Sequence, residues 1–395
     1  MNFWTLFGFE VKKLFRRKLV WLCLAAMIAM SLVQGFLSNN SSSHSFNGIE
    51  ISGEEYQRMT RKAEEALAGR VIDDTLLHEV QKIVTELDNF ELNTYTDIET
   101  MLSYQGHLDI YSWIRQIFDE VPKNLTAEQV YEQRTAFQRY WWDESALTKG
   151  EQVWLKQQDQ SVNTPIVYER SRNWENISGI IFSLNLMGIL VLGICLPGIF
   201  SEEHSRRTDQ LNLAAPLGRK LYSAKLLLGT LFGFVSFLVY WICGVIPAIL
   251  AQGTAGFYGA IQLILPDYAL AMTIGEMIIV LTGLFLISSI ISSVFVMVMA
   301  EILHSGIATT AVVIALVLAV DMIPIPYTVR WLEEIISYLP NQLLSLAEAF
   351  DSRLFPWFGT YLTPWQAAPI LWLAAGALLV LVGRRVYSNY QISGR

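Results

Sequence analysis

The chain has 395 residues, 53% hydrophobic and 16% charged, with a mean hydropathy of +0.36 and a formal net charge of −8. Soluble domains have about a quarter of their residues charged, so a soluble globular protein is excluded, and the acidic balance gives no ground for a nucleic-acid partner. Cys23, Cys195 and Cys243 all stand in apolar runs, where a free thiol is ordinarily a small buried residue, so the sequence carries neither a disulfide framework nor a metal motif.

Residues 1–18 form a basic amphipathic segment. Phe3, Trp4, Phe7, Val11, Leu14 and Phe15 recur at helical spacing, with Lys12, Lys13, Arg16, Arg17 and Lys18 interleaved. That pattern predicts a helix lying on a membrane surface. Residues 19–37 then run nineteen positions without a charge, about 28 Å of helix and enough to cross a bilayer. No small-residue cleavage site follows, so the segment is read as a retained span rather than a signal peptide.

Residues 38–175 are a polar insert. It opens on a Ser/Asn-rich linker and continues with helical periodicity. Leu76, Leu77, Val80, Ile83, Val84 and Leu87 share one face, as do Ile110, Trp113, Ile114 and Ile117. Thr126, after the break at Pro122, is a candidate cap for the next helix. The insert is therefore predicted to be a small helical domain outside the membrane. Its Tyr104, Trp113, Tyr140, Trp141, Trp142 and Trp154 suit either a core with interface rings or a ligand-gripping surface.

Uncharged blocks recur at 177–201, 226–266, 277–300, 305–320 and 365–383. With 19–37 they predict six spans, the 305–320 block being the shortest. Placing the N-terminus inside makes 1–18, 201–225, 300–304 and 383–395 inner segments. These hold 13 of the 28 Lys/Arg but only 5 of the 36 Asp/Glu, leaving 15 and 31 elsewhere. The positive-inside rule then puts both termini in the cytoplasm. Residues 324–364, punctuated by prolines, predict short amphipathic helices at the outer face, with a re-entrant element as the variant. Among the spans, Gly229 and Gly233, and Ser288 and Ser292, are small-xxx-small pairs fit for dimerisation or for packing within one bundle. Asn185 and Glu276 are the polar residues nearest membrane depth.

The inner connector 201–225 is the segment richest in function. It contains Glu202, Glu203, Arg206, Arg207, an apolar side of Leu211, Leu213 and Leu217, a turn at Pro216-Leu-Gly-Arg219, and Lys225 at the next span. Apolar anchors with charges that fix register suit docking into a groove on a soluble partner.

An acidic residue after the second span, then a helix, a Leu-Ala-Ala-Pro-Leu-Gly-Arg-like turn and a Lys opening the third span together resemble a type-2 ABC transporter permease. The resemblance covers about 250 residues, everything but the insert. It implies an all-α integral membrane protein of six transmembrane helices with an N-terminal elbow helix, and Lys12, Lys13, Arg16 and Arg17 fall in that elbow. It implies that Glu202, Glu203, Arg206, Arg207, Leu211, Leu213, Pro216, Arg219 and Lys225 form the coupling interface with an ABC ATPase subunit. It also implies a second permease copy or paralogue, and a multi-pass place in a bacterial cell membrane among lipids. The large insert departs from the short loop of many members and leaves the substrate class open.

The sequence has no G-x-x-x-x-G-K-[ST] phosphate cradle, and its five histidines, His44, His78, His107, His204 and His304, form no ligand cluster. No cofactor is therefore expected in this chain, and no catalysis by it; ATP and magnesium would belong to the partner. The function expected is the permease subunit of an ATP-driven exporter of an amphipathic peptide, antibiotic or lipid. A membrane-anchored receptor whose insert binds a ligand is the alternative.

Overall fold

The computed structural model describes residues 3–37, 44–46, 49–89, 102–205, 218–322 and 329–389. Fifteen helices lie among them: α1 (Phe3–Phe15), α2 (Lys18–Leu37), α3 (Gly53–Leu67), α4 (Asp74–Asn89), α5 (Gln105–Ile117), α6 (Ala127–Glu144), α7 (Lys149–Asp159) and α8 (Arg172–Cys195), then α9 (Gly198–Ser205), α10 (Gly218–Gln252), α11 (Ile274–Leu303), α12 (Gly306–Met322), α13 (Arg330–Ser337), α14 (Leu346–Ala349) and α15 (Pro364–Asn389). Two small antiparallel hairpins accompany them, β1 (His44–Phe46) with β2 (Ile49–Ile51) and β3 (Phe355–Trp357) with β4 (Thr360–Leu362). The sequence showed no strand pattern at either place. The second hairpin turns through Phe358 and Gly359, both at positive φ, the backbone that a two-residue turn requires.

Five helices are long and apolar enough to cross a membrane: Lys18–Leu37, Arg172–Glu203, Leu221–Gln252, Ile274–Leu303 and Pro364–Ser388. The chain is thus a mainly helical membrane protein. The sixth expected span is the shorter apolar helix Gly306–Val320, whose fifteen residues rise about 22 Å against a hydrocarbon core of about 30 Å. The span ending at Glu203 bends where Pro197 separates α8 from α9, as proline does when it removes a helix donor. At α11 the sequence supplies both ends. Thr273 and Glu276 form a capping box, and His304 closes the helix in the left-handed conformation. Glu276, one of the two polar residues near membrane depth, is therefore a helix cap.

Close helix approaches explain most of the small residues. An added Cβ at Gly35 of α2 would overlap the Gly244 carbonyl of α10. At Gly229 and Gly233 of α10 it would overlap the Met297 sulfur and the Ser293 hydroxyl of α11. Both glycines of the small-xxx-small pair thus seat α10 against α11 inside the bundle. Ser288 of the same helix donates to Asn185 Oδ1 of α8 at 2.7 Å.

The insert is a helical layer on one side of the bundle. Leu76, Leu77, Val80, Ile110, Trp113 and Ile114 form its core, and Leu263, from the connector between α10 and α11, packs into it. Side chains of the insert then hold that connector by its carbonyls. Trp113 Nε1 donates to Gln262 O at 2.7 Å, and Arg134 donates to Pro266 O at 2.8 Å and Tyr268 O at 3.1 Å. Arg170 pairs with Glu64 and donates to Gln252 O at 2.6 Å. The 329–363 segment joins from its own side, Arg330 pairing with the buried Glu151 of α7 at 2.6 Å. Trp113 and Trp142 are core residues of the insert, while Tyr140 and Trp141 are exposed.

Segment 329–363 differs from a helix lying in water. In α13 the charged Glu333 faces inward, beside Arg353, while Trp331 and Ile335 are 65% and 58% exposed. An apolar face turned outward suits lipid contact. Beyond α13, Leu343 and Leu344 are fully buried in the main core. Asn185 Nδ2 donates to Pro340 O at 2.7 Å, and Trp372 Nε1 donates to Tyr338 O at 2.7 Å. Asn185 lies about 20 Å along α8, so the turn at 338–344 reaches well between the long apolar helices.

Candidate functional site

On the opposite side from the insert, the end of α9, the start of α10 and α1 meet around a set of charges. α1 carries the apolar residues expected of it, with Leu14 in the main core and Phe7 and Val11 against it. The chain breaks at Arg16 and Arg17 and resumes at Lys18. Trp21 Nε1 donates to Phe15 O at 2.8 Å, fixing that corner. α1 is thereby laid across α10, with its Lys13 and the following Arg17 facing the end of α9.

Lys13 Nζ lies 2.8 Å from Glu203 Oε1, and Lys225 Nζ lies 2.5 Å from Glu203 Oε2. Arg17 Nε lies 2.9 Å from Glu202 Oε1, and its Nη2 donates to Gly198 O. The approach at Gly198 is so close that a Cβ there would overlap the guanidinium. Glu10 completes the set 3.9 Å from Lys13. Burial pushes the Glu10 carboxyl above its ordinary value, opposed by Lys225 and Lys13. Lys225 is fully buried, and its ammonium sits 4.9 Å over the Phe200 ring, a cation–π contact strengthened by exclusion of water.

Three cations and three carboxylates therefore balance in one cluster, with Lys225 and Glu203 buried and Lys13 and Glu202 about a third exposed. Removing one partner of a buried pair leaves an uncompensated charge, so loss of Glu203 or Lys225 costs more than loss of a surface partner. It ties α1 and the end of α9 to the start of α10, the two elements bordering residues 206–217.

The structure thus brings together Glu202, Glu203, Lys225, Lys13 and Arg17 of the residues singled out in sequence. Lys12 and Arg16 are exposed and outside the cluster. Arg219 lies in the first turn of α10. Arg206, Arg207, Leu211, Leu213 and Pro216 lie outside the described residues. Sequence reasoning missed Glu10, Gly198 and Phe200. Glu10 had a visible signal, being the lone acid in a basic helix, three residues before Lys13.

Among the described residues, no group of three or more His, Cys, Asp or Glu is placed to hold a metal ion. No protein-family model matches the chain, and no curated protein shows significant similarity to it.

Proposed function

We propose that this chain is the permease subunit of an ATP-driven exporter in a bacterial cell membrane, with six passes and both termini cytoplasmic. α1 is then the elbow helix, lying in the inner interface, and α12 is the short fifth pass. Residues 201–225 are the connector on which a separate ABC ATPase acts, and a second copy or a paralogue completes the pathway. The insert stands outside, and the exported molecule is amphipathic.

The observation that carries this reading is the buried Glu203–Lys225–Lys13 cluster with its Arg17–Glu202 neighbour. A connector acts as a lever only if force applied to it reaches the spans. Here the ends of both flanking helices are locked to each other and to α1, so a displacement of 206–217 carries α8, α10 and α1 together. The alternation of sides supports it: the insert, the 253–273 connector and the 329–363 segment meet on one side, and the described flanks of the basic segments, around Lys13, Glu203 and Lys225, lie on the other.

The test is co-expression with a candidate ABC ATPase. Combined Arg207→Ala, Leu211→Ala and Leu213→Ala should abolish co-purification while leaving the thermal midpoint of the permease unchanged. Lys225→Met should leave co-purification in place but reduce cargo-stimulated ATP hydrolysis severalfold. An ATPase that binds the triple variant as well as the parent overturns the reading.

A further inference from the structure

Near the middle of the bundle, α11, α12, α15 and the 338–341 turn line a cavity of about 280 Å³. Its walls are apolar, built from Ile291, Phe295, Val313, Val317, Trp372 and Leu379. α12 packs mainly on α8 and α11, and α15 mainly on α11. The cavity thus lies in a slot between α12 and α15. At its mouth Leu316 is 38% exposed and Ala375 is also exposed. Ile314, Leu318, Leu373 and Leu378 are exposed on the same two helices, so the mouth opens on a surface suited to acyl chains.

One polar feature inside this apolar lining lacks its complement. Asn341 is 3% exposed, and its Nδ2 is buried without a hydrogen-bond partner. The adjacent Pro340 carbonyl is satisfied by Asn185. A buried amide donor is disfavoured unless something accepts from it. No charged side chain lines the cavity, which rejects an ionic headgroup at that depth.

We propose that this cavity binds a neutral membrane lipid that enters from the bilayer between α12 and α15. One acyl chain packs among Phe295, Val313 and Trp372, and a neutral oxygen, an ester carbonyl or hydroxyl, accepts from the Asn341 amide. The proposal stands apart from the exporter reading, because binding here needs neither an ATPase nor transport.

The test uses the full chain in phosphatidylcholine nanodiscs doped with a diacylglycerol carrying a diazirine on one acyl chain, with photolabelled peptides mapped by mass spectrometry. Saturable labelling of the segments holding Phe295 and Trp372 is expected, displaced by unlabelled diacylglycerol. Ala375→Trp, which fills an exposed position at the mouth, should cut that labelling at least fivefold while leaving labelling of the lipid-facing Leu22 region unchanged. Asn341→Leu should weaken displacement by about five- to tenfold, as for loss of one buried hydrogen bond. Labelling that follows lipid exposure alone, does not saturate, or is unaltered by Ala375→Trp overturns the proposal. If Asn341→Leu fails to fold, the Ala375→Trp comparison decides.

Discussion

The two ends of this molecule are held by different chemistry. On the insert side, Trp113, Arg134 and Arg170 donate to backbone carbonyls of the 252–268 stretch, each aimed at a fixed point of the chain. These anchors come in addition to ion pairs such as Arg170–Glu64 and Arg330–Glu151, whereas on the opposite side the contacts are mainly ionic, Lys13, Arg17 and Lys225 meeting carboxylates and one carbonyl, Gly198 O, accepting from Arg17. Hydrogen bonds to carbonyls are directional and fix position and angle. Attraction between charges falls off slowly with distance, so the charged end tolerates small sliding of its helices while resisting their separation. The insert side is built for fixed geometry, and the basic side for cohesion under displacement.

The sharpest break in that comparison is Lys225→Met. It strips a buried cation from Glu203 and should cost about 3–5 kcal/mol, read as a lowered unfolding midpoint in detergent. Adding Glu203→Gln should restore much of the loss, because the orphaned carboxylate goes too. If the double variant is as unstable as the sum of the singles, the cluster does not behave as a coupled unit.

Arg134→Leu tests the other end. It leaves Pro266 O without its Arg134 donor and takes one of two donors from Tyr268 O and Asp159 Oδ1, Gln262 and Gln138 keeping the others, and should destabilise by about 2–4 kcal/mol. Limited proteolysis should then cut within 253–273 before it cuts elsewhere. Equal protection in parent and variant would show that the packing of Leu263 alone holds that connector.

Gly233→Ala, at the α10–α11 contact between the two ends, should cost about 1–3 kcal/mol through overpacking. Gly229→Ala should cost less, since the obstructing Met297 is flexible. A reversed order would mean that the serine side of α11 yields more easily than the thioether.

A pH series tests one carboxylate of the insert side. Burial opposes ionisation of Glu151, but hydrogen bonds from Arg330, Thr148 and the Leu354 amide outweigh it and hold the carboxyl below its ordinary value of 4.5. A carboxyl depressed in the fold contributes stability that is complete above the unfolded value and lost as pH falls through the folded one. The parent should therefore lose stability below about pH 4.5, with Glu151→Gln showing a shallower decline over that window. Smallest of all, Thr126→Ala removes one half of a capping box and should cost about 1 kcal/mol.

Much of the architecture was legible where a local rule operates without competition. The 3.6-residue repeat around Leu76, Leu77 and Val80 matches α4, and Thr126 caps α6 as its spacing to Gln129 suggests. Length and charge located five of the spans. The shortfall of α12 was visible as a short block, but the chain beyond it falls outside the described residues. The site was half legible. Glu202, Glu203 and Lys225 stood out as charges bordering spans, yet their partners Lys13 and Arg17 lie some 190 residues away in the chain. No periodicity reports on a pairing at that separation. The inside-out character of α13 was hidden for another reason. A helical wheel shows that Trp331 and Ile335 share a face, but not whether that face meets protein or lipid.

The six-charge cluster also divides the basic residues of the N-terminal arm into two populations. Lys13 and Arg17 are already neutralised within the protein, whereas Lys12, Arg16 and Lys18 are exposed. If α1 is the elbow helix proposed above, only the latter three remain for anionic headgroups, at about 1 kcal/mol each near a charged leaflet. Added salt should accordingly loosen the arm's adhesion to acidic vesicles, through screening within about 8 Å at physiological strength, while the enclosed Lys225 pairing stays intact.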